Sequence, residues 1–443
     1  MINHFKGGIH PPESKLTAGL PTIDMPVPKQ VVIPMSQHIG APCEPVVKKG
    51  DHVKVGTLIG DSSARVTCPI YSSVSGTVKA IQPILTAAGT EMTSIVIETD
   101  GEQTLEEGFG PVEAETKEEK LEAIKRSGLV GLGGAGFPTW FKLTPPPNEP
   151  FDILLINGAE CEPYITSDYR EMKENPRMIM EGIMRVLDIT GIEKALIGIE
   201  DNKRDAIEDL IALDPAYDRI KVISLKTRYP QGAEKQLIYA LTGRKVPPGK
   251  LPSSVGCLVL SISTVSFIES YFRTGIPLVK RRITVSGGAV ANPGNIRVCI
   301  GTSLQDVFDF CGGFKEEPRK IIMGGPMMGV AQFSMQNSIL KQTNALLALT
   351  EDEINTQKES PCIRCGRCVN ACPMNLLPLQ MNALIVKGRF EAAEKYHVRD
   401  CIECGCCSYV CPASRHLVQS FRYGKAELAL IAKAKQAAAK GGA

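Results

Sequence analysis

Through residues 1 to about 105, β-branched and other apolar residues alternate with polar ones, broken by prolines and by turns such as Lys49-Gly50-Asp51 and Ser75-Gly76-Thr77. A period of two between turn residues predicts a small all-β unit. The pattern lapses over 102–120, where seven glutamates face only Lys117 and Lys120 among Gly108, Gly110 and Pro111; that composition predicts a linker running into a helix. From Leu121 the period changes. A helical stretch to Ser127 leads into a glycine loop, and the apolar runs FDILLIN (151–157), KALIGIE (194–200) and IKVISLK (220–226) alternate with amphipathic segments. This predicts βαβ units, and so a mainly parallel sheet covered by helices over 121–275. Residues 280–335 read as a compact α+β unit, with strand-like RRITVSG, the turn Asn292-Pro293-Gly294-Asn295, a second strand IRVCI and a short helix from Thr302 to Cys311. A last section, 350–425, is dense in cysteine, and the Ala-rich, Lys-bearing stretch 426–443 reads as an exposed terminal helix or tail.

Length agrees with a multidomain chain of α/β and β units, since 443 residues correspond to about three domains at ordinary domain size. The formal net charge of +2 argues against a nucleic-acid binder or a polyanionic tail protein. No run approaches the length of a membrane span; the best candidate, 257–268, is short and contains several Ser and Thr. The start MINHFKGGIHPP has no apolar signal region, Ile2 stands where myristoylation needs glycine, and the end carries no prenylatable cysteine. Membrane association is therefore expected only through partners.

Of fifteen cysteines, six are scattered over the first 361 residues and nine fall between Cys362 and Cys411. The run Cys362-x2-Cys365-x2-Cys368-x3-Cys372-Pro373 is repeated as Cys401-x2-Cys404-x2-Cys407-x3-Cys411-Pro412, which is the bacterial ferredoxin spacing twice over. Structural zinc also uses C-x2-C knuckles but has no need of a third cysteine at the same spacing or of the Cys-Pro. Because the fourth cysteine of each run ligates the other cluster, the expected [4Fe-4S] sets are Cys362, Cys365, Cys368 with Cys411, and Cys401, Cys404, Cys407 with Cys372. Cys406 adjoins Cys407; the spacing from Cys404 favours Cys407 as ligand and leaves Cys406 to packing or a neighbouring thiol. From Cys362 onward twelve Lys and Arg oppose five Asp and Glu, an excess that suits either a docking face for an acidic redox partner or a merely solvated surface.

The loop 127–142, SGLVGLGGAGFPTWFK, contains a G-x-G-x-x-G pattern but follows a helix rather than a strand, the wrong context for a dinucleotide fingerprint. Its bare amides and Lys142 could still approach a phosphate; a tight interdomain turn is the alternative. The run resembles the flavin- and NADH-binding loop of the flavoprotein subunit of respiratory complex I. The stretch Asn157-Gly-Ala-Glu160-Cys-Glu162-Pro163, and Tyr229-Pro-Gln-Gly232-Ala-Glu234 with Leu237 and Leu241-Thr-Gly243, resemble two further segments of the same family in the same order. The resemblance implies that Gly131, Gly133, Gly134 and Lys142 hold the phosphate of flavin mononucleotide (FMN), with Gly136 also in the cofactor-binding loop. Asn157, Glu160, Tyr229 and Gly232 would surround the flavin, and Phe137, Glu162 and Glu234 would meet NAD. The chain departs from the family at Ala159, where an Asp is usual, and at Leu260-Ser261-Ile262, where an Asn-Asn-Val is usual; Ser261, Ser263 and Thr264 are candidate hydroxyl substitutes.

The order of parts resembles the C-subunit family of the Rnf electron-transport complex, ferredoxin:NAD oxidoreductases that drive ions across a bacterial membrane. Val46-Val-Lys-Lys-Gly50-Asp51-His-Val-Lys-Val-Gly56 and Ser73-Val-Ser-Gly76-Thr-Val78 look like a barrel-sandwich hybrid, although its tip, Ser62-Ser-Ala-Arg65, has no lysine to modify. Residues 280–335, with Met323-Gly-Gly-Pro-Met-Met-Gly329, look like a soluble-ligand-binding β-grasp domain and the segment after it. The resemblance implies a peripheral subunit at the cytoplasmic face of the cell membrane, passing electrons between two [4Fe-4S] clusters and an FMN that exchanges hydride with NAD. Membrane and iron-sulfur subunits would be its partners, ferredoxin would reach it through another subunit, and no nucleic acid is involved. A soluble flavin/iron-sulfur reductase, such as a cobalamin reductase, and a flavin-free relay or scaffold subunit share these modules.

Overall fold

Period-two burial folds the first β unit as expected. Val31 and Ile33, and Ile95 and Ile97, are fully buried on one face of a sheet in the order Gln30–Pro34, Glu91–Thr99, Gly76–Leu85, His52–Val53. A second sheet, Glu44–Pro45, Leu58–Asp61 and Ile70–Tyr71, closes over that face. Gly76 holds a φ of +153°, and a side chain there would meet the Glu98 carbonyl at 2.1 Å; only glycine lets these strands approach. The computed structural model describes residues 4–87 and 89–441. Residues 1–3, 88, 442 and 443 lie outside the described residues, and with them the first positions of the expected β unit and the end of the expected tail.

The three apolar runs become the parallel strands Ile153–Gly158, Ala195–Glu200 and Ile220–Leu225. A fourth parallel strand, Cys257–Ser261, pairs with the first, so the order is third, second, first, fourth. The run 257–268 is thus divided. Its second half opens the helix Ile262–Thr274, whose first turn is capped by Ser261 through the Thr264 amide. A sheet that winds outward both ways from its first strand opens a crevice at the carboxyl ends of the first and fourth strands, here Gly158 and Ser261, which lie beside each other through the Ser261–Asn157 register.

The α+β unit is wider than the expected 280–335. Its six-stranded sheet runs Thr22–Asp24, Gly294–Cys299, Lys280–Ser286, Ala345–Leu349, Lys320–Met323, Val330–Ala331. Ala345–Leu349 is buried throughout and lies between two strands from within that span, while Thr22–Asp24 comes from the stretch assigned to the first unit. The cysteine section forms short helices and one long one, Leu417–Gly441. This helix begins well before the expected tail because Leu417, Val418, Phe421 and Leu428 pack into the core of the cysteine module; its later part carries Lys435, which pairs with Glu391. No helix among the described residues is long and apolar enough to cross a membrane.

Instead of joining the first β unit, residues 5–20 run between other modules. The Gly8 amide donates to the Ala371 carbonyl at 2.9 Å, and Ile9 and Tyr229 exchange backbone hydrogen bonds at 2.8 and 3.0 Å. A side chain at Gly7 would come within 2.5 Å of the Cys372 carbonyl oxygen. Further on, the Thr17 hydroxyl meets that of Thr166 at 2.6 Å, and Asn295 Nδ2 donates to the Thr17 carbonyl at 2.9 Å.

Candidate functional site

The glycine loop hangs over the crevice between Gly158 and Ser261. Its base is closed by the Gly131 amide donating to the Phe137 carbonyl at 2.8 Å. Its arm is tied to the capped helix by the Leu132 amide donating to Thr264 Oγ1 (3.1 Å) and Ser261 Oγ donating to the Leu132 carbonyl (2.7 Å). Ser261 and Thr264 therefore serve the loop, and Ser263 donates to Asp168 Oδ1. Gly133, Gly134 and Ala135 are exposed at the turn. A side chain built at Gly134 would have no atom within 4 Å, and one at Gly133 only the Asn344 amide at 3.9 Å. Gly136 is buried against Gln342 and the Gln37 carbonyl. An open cradle of glycine amides at the crevice of a parallel sheet fits a phosphate-bearing cofactor. Lys142, on the turn after the loop, pairs with Glu234 at 2.9 Å; these two expected residues meet each other directly.

Asn157 and Gly232 are also brought together. Asn157 Nδ2 donates to the Gly232 carbonyl at 2.8 Å, while Oδ1 accepts from the Ala159 amide at 3.2 Å. The Gly232 amide donates to Cys161 Sγ at 3.3 Å. Glu160 takes a left-handed φ of +46° and turns its carboxylate inward, accepting from the Asp168 and Tyr169 amides at the start of the helix Ser167–Glu174 (2.6 and 3.3 Å). Burial pushes its carboxyl up, with Lys15 and Lys203 drawing it back. Two cations missed in the sequence build this turn. Lys15 Nζ donates to the carbonyls of Glu160, Glu162 and Ile165 at 2.8, 2.9 and 2.6 Å, and Lys203 Nζ donates to the Ala159 carbonyl at 2.7 Å. No motif marks Lys15; the only signal for Lys203 was its place just after the second strand.

Glu162 and Tyr229 lie elsewhere than expected. The Glu162 carboxylate, expected at NAD, accepts from the Met327 and Met328 amides at 3.0 and 2.9 Å, and a side chain at Gly325 would come within 2.3 Å of it. Tyr229, 2% exposed, donates its hydroxyl to the Cys404 carbonyl at 2.7 Å. These residues join the crevice to the cysteine module, and Met327 and Met328, which had no chemical reading in the sequence, are the loop that Glu162 anchors. Burial pushes the Glu162 carboxyl up to about 7, partly offset by the two amides. Between the ordinary glutamate value of 4.5 and about 7 the folded chain keeps a proton that the unfolded chain has released, so this group's contribution to stability falls as pH rises through that window and levels off above it. Urea midpoints measured from pH 4.5 to 8 should show this decline for the native chain relative to Glu162→Gln; a difference that stays constant with pH would refute it.

The cysteine runs interleave. Cys372 lines one apolar cavity with Cys401, Cys404, Cys406 and Cys407, walled by Met381 and Phe421. In the other set Cys362 and Cys365 are exposed, while Cys368, its thiol raised first by burial, is raised further by the nearby Cys411 and Cys362. The backbone repeats as well. Arg364 and Glu403 take φ of 55° and 56°, Gly366 and Gly405 take 76° and 81°, and Asn375 and Ser414 take 54° and 48°. These bends turn the Arg364 amide onto Cys362 Sγ and the Glu403 amide onto Cys401 Sγ, both at 3.4 Å, the N–H to sulfur contacts that tune iron-sulfur thiolates. Five thiols from the two runs thus face one apolar cavity, and the x2 spacing selects Cys401, Cys404, Cys407 and Cys372 among them as the four a cubane needs. Cys406 is fully buried in a cluster with Ile9, Tyr229, Ala371 and Cys404.

The comparisons with known proteins agree with this geometry. The chain is 49% identical over 435 residues to the C subunit of the proton-translocating ferredoxin:NAD(+) oxidoreductase complex of Clostridium ljungdahlii, covering 96% of this chain and 94% of that one. The chain belongs to the family of Rnf complex C subunits. Another member of this family is the C subunit of the Na(+)-translocating ferredoxin:NAD(+) oxidoreductase complex of Acetobacterium woodii, 45% identical with 96% and 97% of the two chains covered. The C subunit of the ion-translocating oxidoreductase complex of Rhodobacter capsulatus is 40% identical with 96% and 83% covered. Within the chain, residues 3–102 match the RnfC barrel sandwich hybrid domain, 124–270 the Nuo51 FMN-binding domain, 282–331 the SLBB domain and 361–414 the 4Fe-4S dicluster domain. It is thus an oxidoreductase subunit with FMN and iron-sulfur clusters as cofactors. The fold is shared with the NAD+-reducing [NiFe]-hydrogenase in the H2-reduced state, at a TM-score of 0.50 and 17% identity over 69% of this chain and 61% of that one.

Proposed function

We propose that the chain is the peripheral subunit of a membrane-bound, ion-pumping ferredoxin:NAD oxidoreductase, at the cytoplasmic face, where two [4Fe-4S] clusters and an FMN connect the other subunits to NAD. One observation carries this reading: the Tyr229 hydroxyl from the flavin-type domain rests on the carbonyl of Cys404, a cysteine of the buried set, while Cys362 and Cys365 of the other set face solvent. Flavin, when bound, supplies the conversion between single electrons and the hydride of NAD. The protein supplies its holding. Amides of the exposed turn at Gly133 and Gly134 would take the phosphate, with Gly131 and Gly136 shaping the loop, and Asn157 and Gly232 would border the ring. Lys142 would add its charge to the flavin phosphate, and Phe137 and Glu234, the latter paired with Lys142, would meet NAD. Cys401, Cys404, Cys407 and Cys372 would hold the inner cluster out of water, and Cys362, Cys365, Cys368 and Cys411 the outer one.

The positive excess after Cys362 supports docking of an acidic iron-sulfur partner at the outer cluster, with ferredoxin reaching the chain through that partner. With no spanning helix among the described residues, attachment to the membrane falls to the other subunits. The test is anaerobic purification, quantification of iron, sulfide and flavin, and titration with NADH. Stoichiometric FMN whose absorbance bleaches with NADH is the expected result. Protein that carries both clusters but no flavin, or flavin that NADH leaves oxidised, would overturn the reading.

A further inference from the structure

We propose that Arg65, at the tip of the barrel-sandwich domain, is a phosphate-binding residue of the nicotinamide dinucleotide site, so that this site is built by two domains rather than one. The inference rests on the reading of the crevice as a flavin and NAD site. In the sequence the tip was notable for lacking a modifiable lysine, and the structure shows where it goes. The tip is docked against the glycine loop and cannot swing. The Ile39 amide donates to the Gly136 carbonyl at 3.0 Å, and Trp140 Nε1 donates to the Thr67 carbonyl at 2.9 Å. Buried Lys341 clamps the Pro69 and Gly128 carbonyls together at 2.6 and 2.7 Å.

This docking sets the Arg65 guanidinium 5.6 Å from the centre of the Phe141 ring. Phe141 in turn packs edge-on to Phe137 at 5.8 Å, and Phe137 belongs to the glycine loop. A guanidinium resting on an aromatic face is oriented by the ring while its N–H fork stays free. Arg65 is exposed, and among the described residues no carboxylate pairs with it, whereas Lys142 nearby is already matched by Glu234. An unmatched planar cation, linked to the glycine loop through the Phe141–Phe137 pair, suits bidentate contact with a phosphate of the dinucleotide. An arginine that merely packed its stem on Phe141 would be replaceable by methionine without loss.

That contrast gives the experiment. ADP-ribose, which carries the pyrophosphate without the redox ring, is titrated calorimetrically into the full-length holoprotein and its Arg65→Met and Arg65→Lys variants, and the NADH concentration that half-bleaches the flavin is recorded for each. Arg65→Met should weaken both ligands by roughly tenfold or more, with unchanged flavin content and a shallower salt dependence of binding. Arg65→Lys, keeping charge but losing the fork, should lie between. Native-like affinity in Arg65→Met, with NADH still bleaching the native protein, overturns the inference and leaves the flavin reading standing. Native protein that binds neither ADP-ribose nor NADH overturns both.

Discussion

Cys372→Ala is expected to keep about half of the cluster iron, and the half it keeps should be the solvent-facing one, because the fourth cysteine of a run serves the opposite cluster. Cys372 lies in the same cavity as Cys401, Cys404 and Cys407, so its loss empties the inner site although its own run remains otherwise complete. Iron in the native protein should be removed by a chelator in two phases, the slow one from the inner set. In Cys372→Ala the slow phase should vanish, and in Cys411→Ala the fast one. Retention of the slow phase in Cys372→Ala would show that each run closes on itself.

Lys15→Ala should be the most damaging substitution outside the cysteines. One ammonium group holds three carbonyls of the 160–165 turn and lies 3.9 Å from the Glu160 carboxylate. Removing it strands those carbonyls and leaves a buried carboxylate short of a counter-charge, a change that costs about 3–5 kcal/mol in comparable buried pairs. The turn follows directly on Asn157 and carries Glu162, so flavin should be lost along with stability. The check is flavin content after gel filtration together with the urea midpoint. A variant that retained native flavin and midpoint would show that the turn holds its shape without the lysine.

Much of this was legible in the chain. Alternating burial identified the barrel, three apolar runs identified three of four parallel strands, and the doubled cysteine spacing identified a module whose backbone bends repeat as its cysteines do. The failures have physical causes. Ala345–Leu349 is buried on both faces, so it shows no alternation to mark it as a strand. Cys257–Ser261 runs without a turn into its own helix, which hid the boundary. The resemblance put Glu162 at NAD and Tyr229 beside the flavin, but their partners are the amides of Met327 and Met328 and the carbonyl of Cys404. Backbone groups far away in sequence leave no trace in a motif. Lys15 was invisible for the same reason, since what it binds is carbonyl oxygen, which every residue has.

The segment 5–24 bears on how the molecule is made. It is held by Tyr229, by Asn295 and by Ala371, and it closes the edge of the β-grasp sheet through Thr22–Asp24. These seats lie on three different modules, and contacts of such long sequence separation form late. The segment is therefore a seam sewn across modules that have already folded.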